Sequence, residues 1–461
     1  MVEMPMSGTP TDRAPHPRPR SWVTTLACAA SALLLALPAA ADWPQWRGPE
    51  RDGKSPESGL LQDWPDGGPP LAWSASGLGG GFSSVSIADG RIYTMGDLAD
   101  GQYVIALDQD GGEHLWKTRI GPTWEDRYLG SRSTPTTDGD RIYALGTEGD
   151  LVCLSAATGE KVWHRNLRED FGGFLMQAQG NYDWKFAESP LVDGDRVIVT
   201  PGAPEAALVA LEKKTGEEIW RTELPELEGA GIPGAGYSSA VVSEAAGIRQ
   251  VVQLLGPGVV GVDADTGRLL WSYDRVANKI ANIATPIVDG DRIFVSTGYG
   301  TGAALLEIGR GEEGITAEEV YFLDADTMQN HHGEVILHEG HVYTGTGHNQ
   351  GYPLAVEVDS GEVAWGPVRN DGRNSAAVIY ADGRLYFRYQ NGVMILVEAT
   401  PEEYREKGSF EIPGVENPSW SLPAIADGKL YLREQDALHV YDLRPAAKPA
   451  PEPEPESEAG R

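Results

Sequence analysis

With 461 residues, a formal net charge of −31, 57 glycines and 32 prolines, the chain is long, acidic and rich in turn-forming residues. Such a charge disfavours nucleic acid and anionic lipid headgroups as partners and favours divalent cations or basic proteins. The only cysteines are Cys28 and Cys153. Cys28 falls in a segment expected to be removed on export, so the mature chain is expected to hold no internal disulfide.

At the N-terminus, Arg13, Arg18 and Arg20 precede an apolar stretch from Trp22 to Leu37, followed by Pro38 and Ala39-Ala40-Ala41. This reads as an export signal over residues 1–41, with Asp42 as the mature terminus and the periplasm or the cell exterior as destination. The rival reading is an uncleaved membrane anchor, which Pro38 and the alanine run disfavour. A lipid-modified Cys28 is disfavoured by the poor Thr25-Leu26-Ala27 context before it. The signal carries three arginines against Glu3 and Asp12, so its loss leaves about −32. No transmembrane segment is expected after cleavage.

An extended segment over 42–68 leads into a repeat that runs from 69 to 445. Five phrases share one pattern: ALDQDGGEHLW ending at Trp116, CLSAATGEKVW at Trp163, ALEKKTGEEIW at Trp220, GVDADTGRLLW at Trp271 and AVEVDSGEVAW at Trp365. Each predicts a strand, a Gly turn and a second strand. Upstream of them a second hairpin signal recurs, as in TTDGDRIYALG and LVDGDRVIVTPG. Aligning the residue after each of these turns gives Tyr93, Tyr143, Ile198, Val252, Phe294, Tyr343, Tyr386 and Tyr431, at spacings of 42 to 55 residues. Eight units of about four short strands follow, and a repeat of this length means a closed array. Unit 8 lacks a last strand, and the lone PPLAW before Trp73 is its expected donor, so first and last segments pair and close the ring. Cys153 occupies a slot held by Ala106, Ala210 and Ala355, which predicts a small buried residue. The one helix signal in the repeats is PEEYREKG at 401–408. The closing segment at 446–461 is rich in Pro and Glu and is expected to be disordered.

The AxDxxTGxxxW phrase, repeated around an eight-unit ring, resembles the tryptophan-docking motif of pyrroloquinoline-quinone (PQQ)-like β-propellers, over residues 69 to 445. The resemblance implies an all-β, eight-bladed propeller in which each Trp docks between adjacent blades. It leaves function open, because the same propeller carries quinone-dependent alcohol dehydrogenases and the non-enzymatic assembly scaffold BamB. DWPQWRGPERDGKS at 42–55 is similar to the mature start of many exported members, and its Trp43, Trp46 and Arg47 are expected to pack along the outside of the ring.

In a propeller, the segments leading into the innermost strands form one circle around the channel mouth. Here those segments hold Arg132, Lys185, Glu188, Tyr237, Asn282, His331, His332, Arg373, Asn374 and Trp420, the candidate ligand-binding residues. Long Gly/aromatic connections at 168–185 and 225–237 feed the same rim. Five of the nine histidines lie between 331 and 348, but His338 and His341 flank the far end of a hairpin from His331 and His332, so no metal site is assigned. PQQ with Ca²⁺ would require cations for three carboxylates, a Glu/Asn/Asp set for the metal and flat groups on both faces of the ring. The adjacent-cysteine pair of the quinoprotein dehydrogenases is missing, as is a haem-attachment phrase. The reading adopted is a monomeric, non-catalytic binding or assembly scaffold for an envelope protein or small polar ligand. A quinone-dependent alcohol or sugar dehydrogenase and a saccharide-binding propeller stand as alternatives.

Overall fold

The computed structural model describes residues 42–446 apart from 125, 179–181 and 313; the expected signal and nearly all of the expected tail lie outside the described residues. Eight antiparallel sheets follow one another, each with strands A to D from the channel outward. Blade 1 is Ser86–Ala88, Arg91–Leu98, Gly101–Asp108 and His114–Gly121, and blade 8 is Ala424–Ala426, Lys429–Glu434, Ala437–Asp442 and, as strand D, Leu71–Ala75. Strand Leu71–Ala75 pairs antiparallel with Ala437–Asp442, so the ring is closed by the early strand as the sequence predicts.

A single row of side chains explains the repeat. The aligned strand-B residues are all buried, and each faces a strand-C residue that in most blades is small: Tyr93 opposite Ala106, Tyr143 opposite Cys153, Tyr343 opposite Ala355. Opposite that residue on strand D stands the tryptophan, as in Ala106 with Trp116 and Cys153 with Trp163. The small side chain leaves room for a bulky ring on either side, and Tyr93 and Trp116 lie 5.8 Å apart across it. Cys153 is buried there, its thiol pushed up to about 11 by burial. That makes it a packing residue and not a nucleophile.

Every strand C–D pair carries a register shift beside the docking position. A bulge adds local twist and re-aims a side chain. Here it turns the tryptophan toward the next blade, where indole Nε1 donates to a backbone carbonyl: Trp116 to Ala156, Trp163 to Lys213, Trp220 to Ala264 and Trp365 to Thr400. Tyr321 substitutes in blade 5, its hydroxyl donating to Val358 O. Trp271 instead donates to Gln250 Oε1 within its own blade. The Gly of each TG turn is explained by the same contact. Gly267 has φ of 72°, and a Cβ there would lie 2.5 Å from the Trp220 ring. Glycine is therefore required both by the backbone and by the ring lying against it.

Two local expectations are corrected. Residues 401–405 form no helix, and Glu406–Glu411 is strand D of blade 7, where Gly408 stands at the docking position and Trp64 lies against it, its ring edge-on to Phe410. Sheet pairing overrides the weak helical preference of so short a run. Among the described residues the one α-helix is Leu167–Phe171, capped by the Asn166 side chain and ended by Gly172 at φ of 66°.

Candidate functional site

The segment at 42–55 lies inside the ring, against the expectation that it would pack outside. Trp43 pairs with Ile87 on strand A of blade 1, Pro44 O accepts from Thr137 in blade 2, and Arg51 donates to Ser189 O and Pro190 O in blade 3. Trp46 reaches Thr285 of blade 5 at 3.2 Å. Lys54–Ser55 then runs parallel to the end of strand A of blade 7 as a fifth strand. The chain thus rises along the channel to the level where the innermost strands begin, turns, and descends again.

Arginine chemistry holds this plug. Arg47 is fully buried and forms an ion pair with Glu334, while further donors reach Arg51 O, Asp52 O and Val335 O. A buried guanidinium is tolerable only when its donors are matched in this way. Arg51 is buried as well, near Glu188, and desolvation lowers its pKa to about 9. Arg47 and Arg51 take left-handed backbone conformations at φ of 63° and 56°, strained for non-glycine residues and held by these side-chain bonds. The cue in the sequence was the RGPERDG phrase itself, in which two arginines sit among turn residues.

Above the plug is a cavity of about 350 Å³ to which all eight blades contribute, with the half-buried Trp46 at its base. One wall is Trp420, with Phe82 at 4.9 Å, Tyr128 at 4.8 Å and His332 at 5.0 Å between ring centroids. Another is Trp184, edge-on to Tyr182 and to Tyr237 at 5.7 Å. Among the described residues lining the cup, Arg132 is the only Lys or Arg. Its guanidinium lies 3.9 Å from the Trp124 ring centroid and donates to Tyr128 O and Gly130 O, not to a carboxylate. Burial lowers its pKa to about 9, which leaves it charged at neutral pH.

Three histidines meet here: His331 lies 4.4 Å from His332 and 4.7 Å from His348. His331 hydrogen-bonds Ser375 Oγ at 2.5 Å and Tyr299 OH at 3.0 Å. Burial, with the neighbouring imidazoles, drops its pKa to about 2, and burial drops that of His332 to about 4. Both are neutral at physiological pH. His332 Nε2 is buried with no hydrogen-bond partner. His338 and His341 pair at the hairpin turn at the other end of strands A and B, as the sequence indicates.

Of the ten candidates from the sequence, the cup brings together Arg132, Tyr237, His331, His332 and Trp420. The other five lie elsewhere. Lys185 forms a 3.0 Å ion pair with Glu148. Glu188 is buried behind the plug, accepting from Thr200 N, and burial pushes its pKa up to about 7. Asn282 is a buried brace, donating to Leu255 O and Gly256 O. Arg373 and Asn374 are exposed on the rim. The sequence reading missed Trp46, which comes from outside the repeat, and Tyr299, His348, Asn349 and Gln390, which sit after strand B instead of before strand A. A second circle aligned on the strand B–C turns would have found them.

The cup's donors do not suit PQQ with Ca²⁺. Three carboxylates would meet one cation. Glu334, the one carboxylate among the described lining residues, is already bound to Arg47 and to Thr285 N. Groups of three or more His, Cys, Asp or Glu arranged for a metal are absent among the described residues.

Fold and site together define an eight-bladed PQQ-like propeller whose channel is plugged by its own N-terminal segment below a walled cup. A family model described as "PQQ_2: Outer membrane protein assembly factor BamB" matches residues 100–366, and the chain belongs to that family. The outer membrane protein assembly factor BamB of Burkholderia pseudomallei is 26% identical over 244 residues, covering 50% of this chain and 55% of that protein. The chain spans about half the length of the curated relatives it matches. Among solved structures, quinohemoprotein alcohol dehydrogenase from Comamonas testosteroni superposes with a TM-score of 0.60 at 14% identity, covering 88% of this chain and 81% of that one. BamB from Moraxella catarrhalis gives 0.51 at 15%, covering 77% and 95%. These two likenesses are of fold.

Proposed function

We propose that this protein is a non-catalytic binding scaffold of the cell envelope, exported by residues 1–41 and recognising its ligand or partner at the cup. The observation that carries this reading is the plug: it closes the channel from one side and leaves a fixed, aromatic-walled receptacle on the other. Within that receptacle Glu334 is tied up by Arg47 and Thr285, and His331 by Ser375 and Tyr299. A general base needs a reachable lone pair and a pKa near the working pH. Neither Glu334 nor His331 offers that combination. The family's description as an assembly factor and the predicted signal support an envelope location. Among the described residues no helix is long and apolar enough to cross a membrane.

The quinone-dehydrogenase reading is tested by adding PQQ and Ca²⁺ to purified protein and following dye reduction with short alcohols and sugars. No turnover is expected. Turnover that disappears in Arg132→Ala would overturn the scaffold reading.

A further inference from the structure

We infer that the cup binds a hexuronate-type sugar, a pyranose ring bearing hydroxyls and one carboxylate, either free or as a unit of an acidic polysaccharide. This rests on the reading of the cup as a binding site and adds the chemistry of what it takes.

Three features converge on that class. The first is the pair of aromatic platforms. Trp420 and Trp184 are each braced by neighbouring rings at 4.8 to 5.7 Å, so each presents a fixed ring. The electron-rich face of an indole attracts the polarised C–H bonds on one side of a sugar ring. The second is hydroxyl recognition. His332 Nε2 is buried and without a partner in the cup, and a hydroxyl, which both donates and accepts, satisfies either tautomer. Gln390 accepts the Trp420 indole N–H at 2.9 Å through its oxygen, which leaves its amide NH₂ as a donor on the same wall. Two open hydrogen-bonding groups beside an aromatic face suit neighbouring hydroxyls better than a flat apolar anion. The third is charge. Arg132 provides one cation, held by Trp124 and two carbonyls, so the cup pairs with one carboxylate at a time. At about 350 Å³ the cavity is at the small end of ligand pockets, which run from roughly 300 to 1,000 Å³, a size for a single ring or a short oligosaccharide end.

The test is a titration of the purified protein, by calorimetry and tryptophan fluorescence, with glucuronate, galacturonate, the matching neutral sugars and short oligogalacturonates. Saturable binding of a uronate is expected, with the neutral sugar at least about ten-fold weaker. Arg132→Gln should cost the uronate about ten-fold and leave the neutral sugar unchanged, while Trp420→Ala should weaken both. His332→Phe, which keeps a ring and deletes the hydrogen-bonding nitrogens, should weaken both sugars with an unchanged melting temperature. Tighter binding of the oligomer assigns the site to a polymer unit, and tighter binding of the monomer to the free sugar. No saturable binding of any uronate by protein with a cooperative melt, equal binding of neutral sugars, or an unchanged uronate affinity in Arg132→Gln would each overturn the inference. Such failures, without quinone turnover, leave the scaffold reading standing; turnover with PQQ sinks that reading instead.

Discussion

The outer rim and the central channel of this propeller are held by opposite kinds of chemistry. Outside, blades are joined by tryptophans that bury apolar rings and use one indole N–H each, a device repeated with small variations from blade to blade. Inside, a segment used once fills the channel by burying two arginines against carboxylates from blades 3 and 6. Repetition spreads stability over many similar seams. The unique plug concentrates it, so the interior should respond far more sharply to single changes.

The largest effect is expected at Arg47. Arg47→Met leaves Glu334 buried without its partner and should cost about 3–5 kcal/mol in denaturant unfolding. The double variant with Glu334→Gln should recover most of that loss, and a loss that simply adds would break the contrast. Trp220→Ala should cost a comparable ~3–5 kcal/mol by opening a cavity at one seam. Trp220→Phe keeps the wedge and loses only the bond to Ala264 O, for about 1 kcal/mol.

Glu188 adds a pH signature to the interior. It titrates near 7 when folded and near its ordinary 4.5 when unfolded, so between those values the folded state binds more protons and stability falls as pH rises. Below 4.5 the penalty is absent. Glu188→Gln should flatten that slope, measured as denaturant midpoints at about pH 4.5 and about pH 7.5. The smallest effect is expected at Lys185, whose partly exposed pair with Glu148 should be worth less than about 1 kcal/mol in Lys185→Ala.

The same contrast governs what could be read from the sequence. Blade count and ring closure at Trp73 were legible because a repeat samples one physical problem eight times. Aligned copies then expose the shared solution. Trp46, Arg47 and Arg51 occur once, and their partners Thr285, Glu334, Ser189 and Pro190 are 138 to 287 residues away. No local period points to such contacts. Within the candidate site the circle before strand A was legible, while Tyr299 and Gln390 on the strand B–C turns required knowing that both sets of turns face one cavity.

The central claim is that residues 43–55 are threaded into the channel as part of the folded core. Amide hydrogen exchange measures it directly at Trp43, which donates to Ile87 O, at Gly53, which donates to Arg47 O, and at Tyr380, which donates to Gly53 O. The account predicts that these amides exchange as slowly as the inner strands, opening only with global unfolding. Exchange at the rate of an exposed terminus, while the blade strands stay protected, would contradict it.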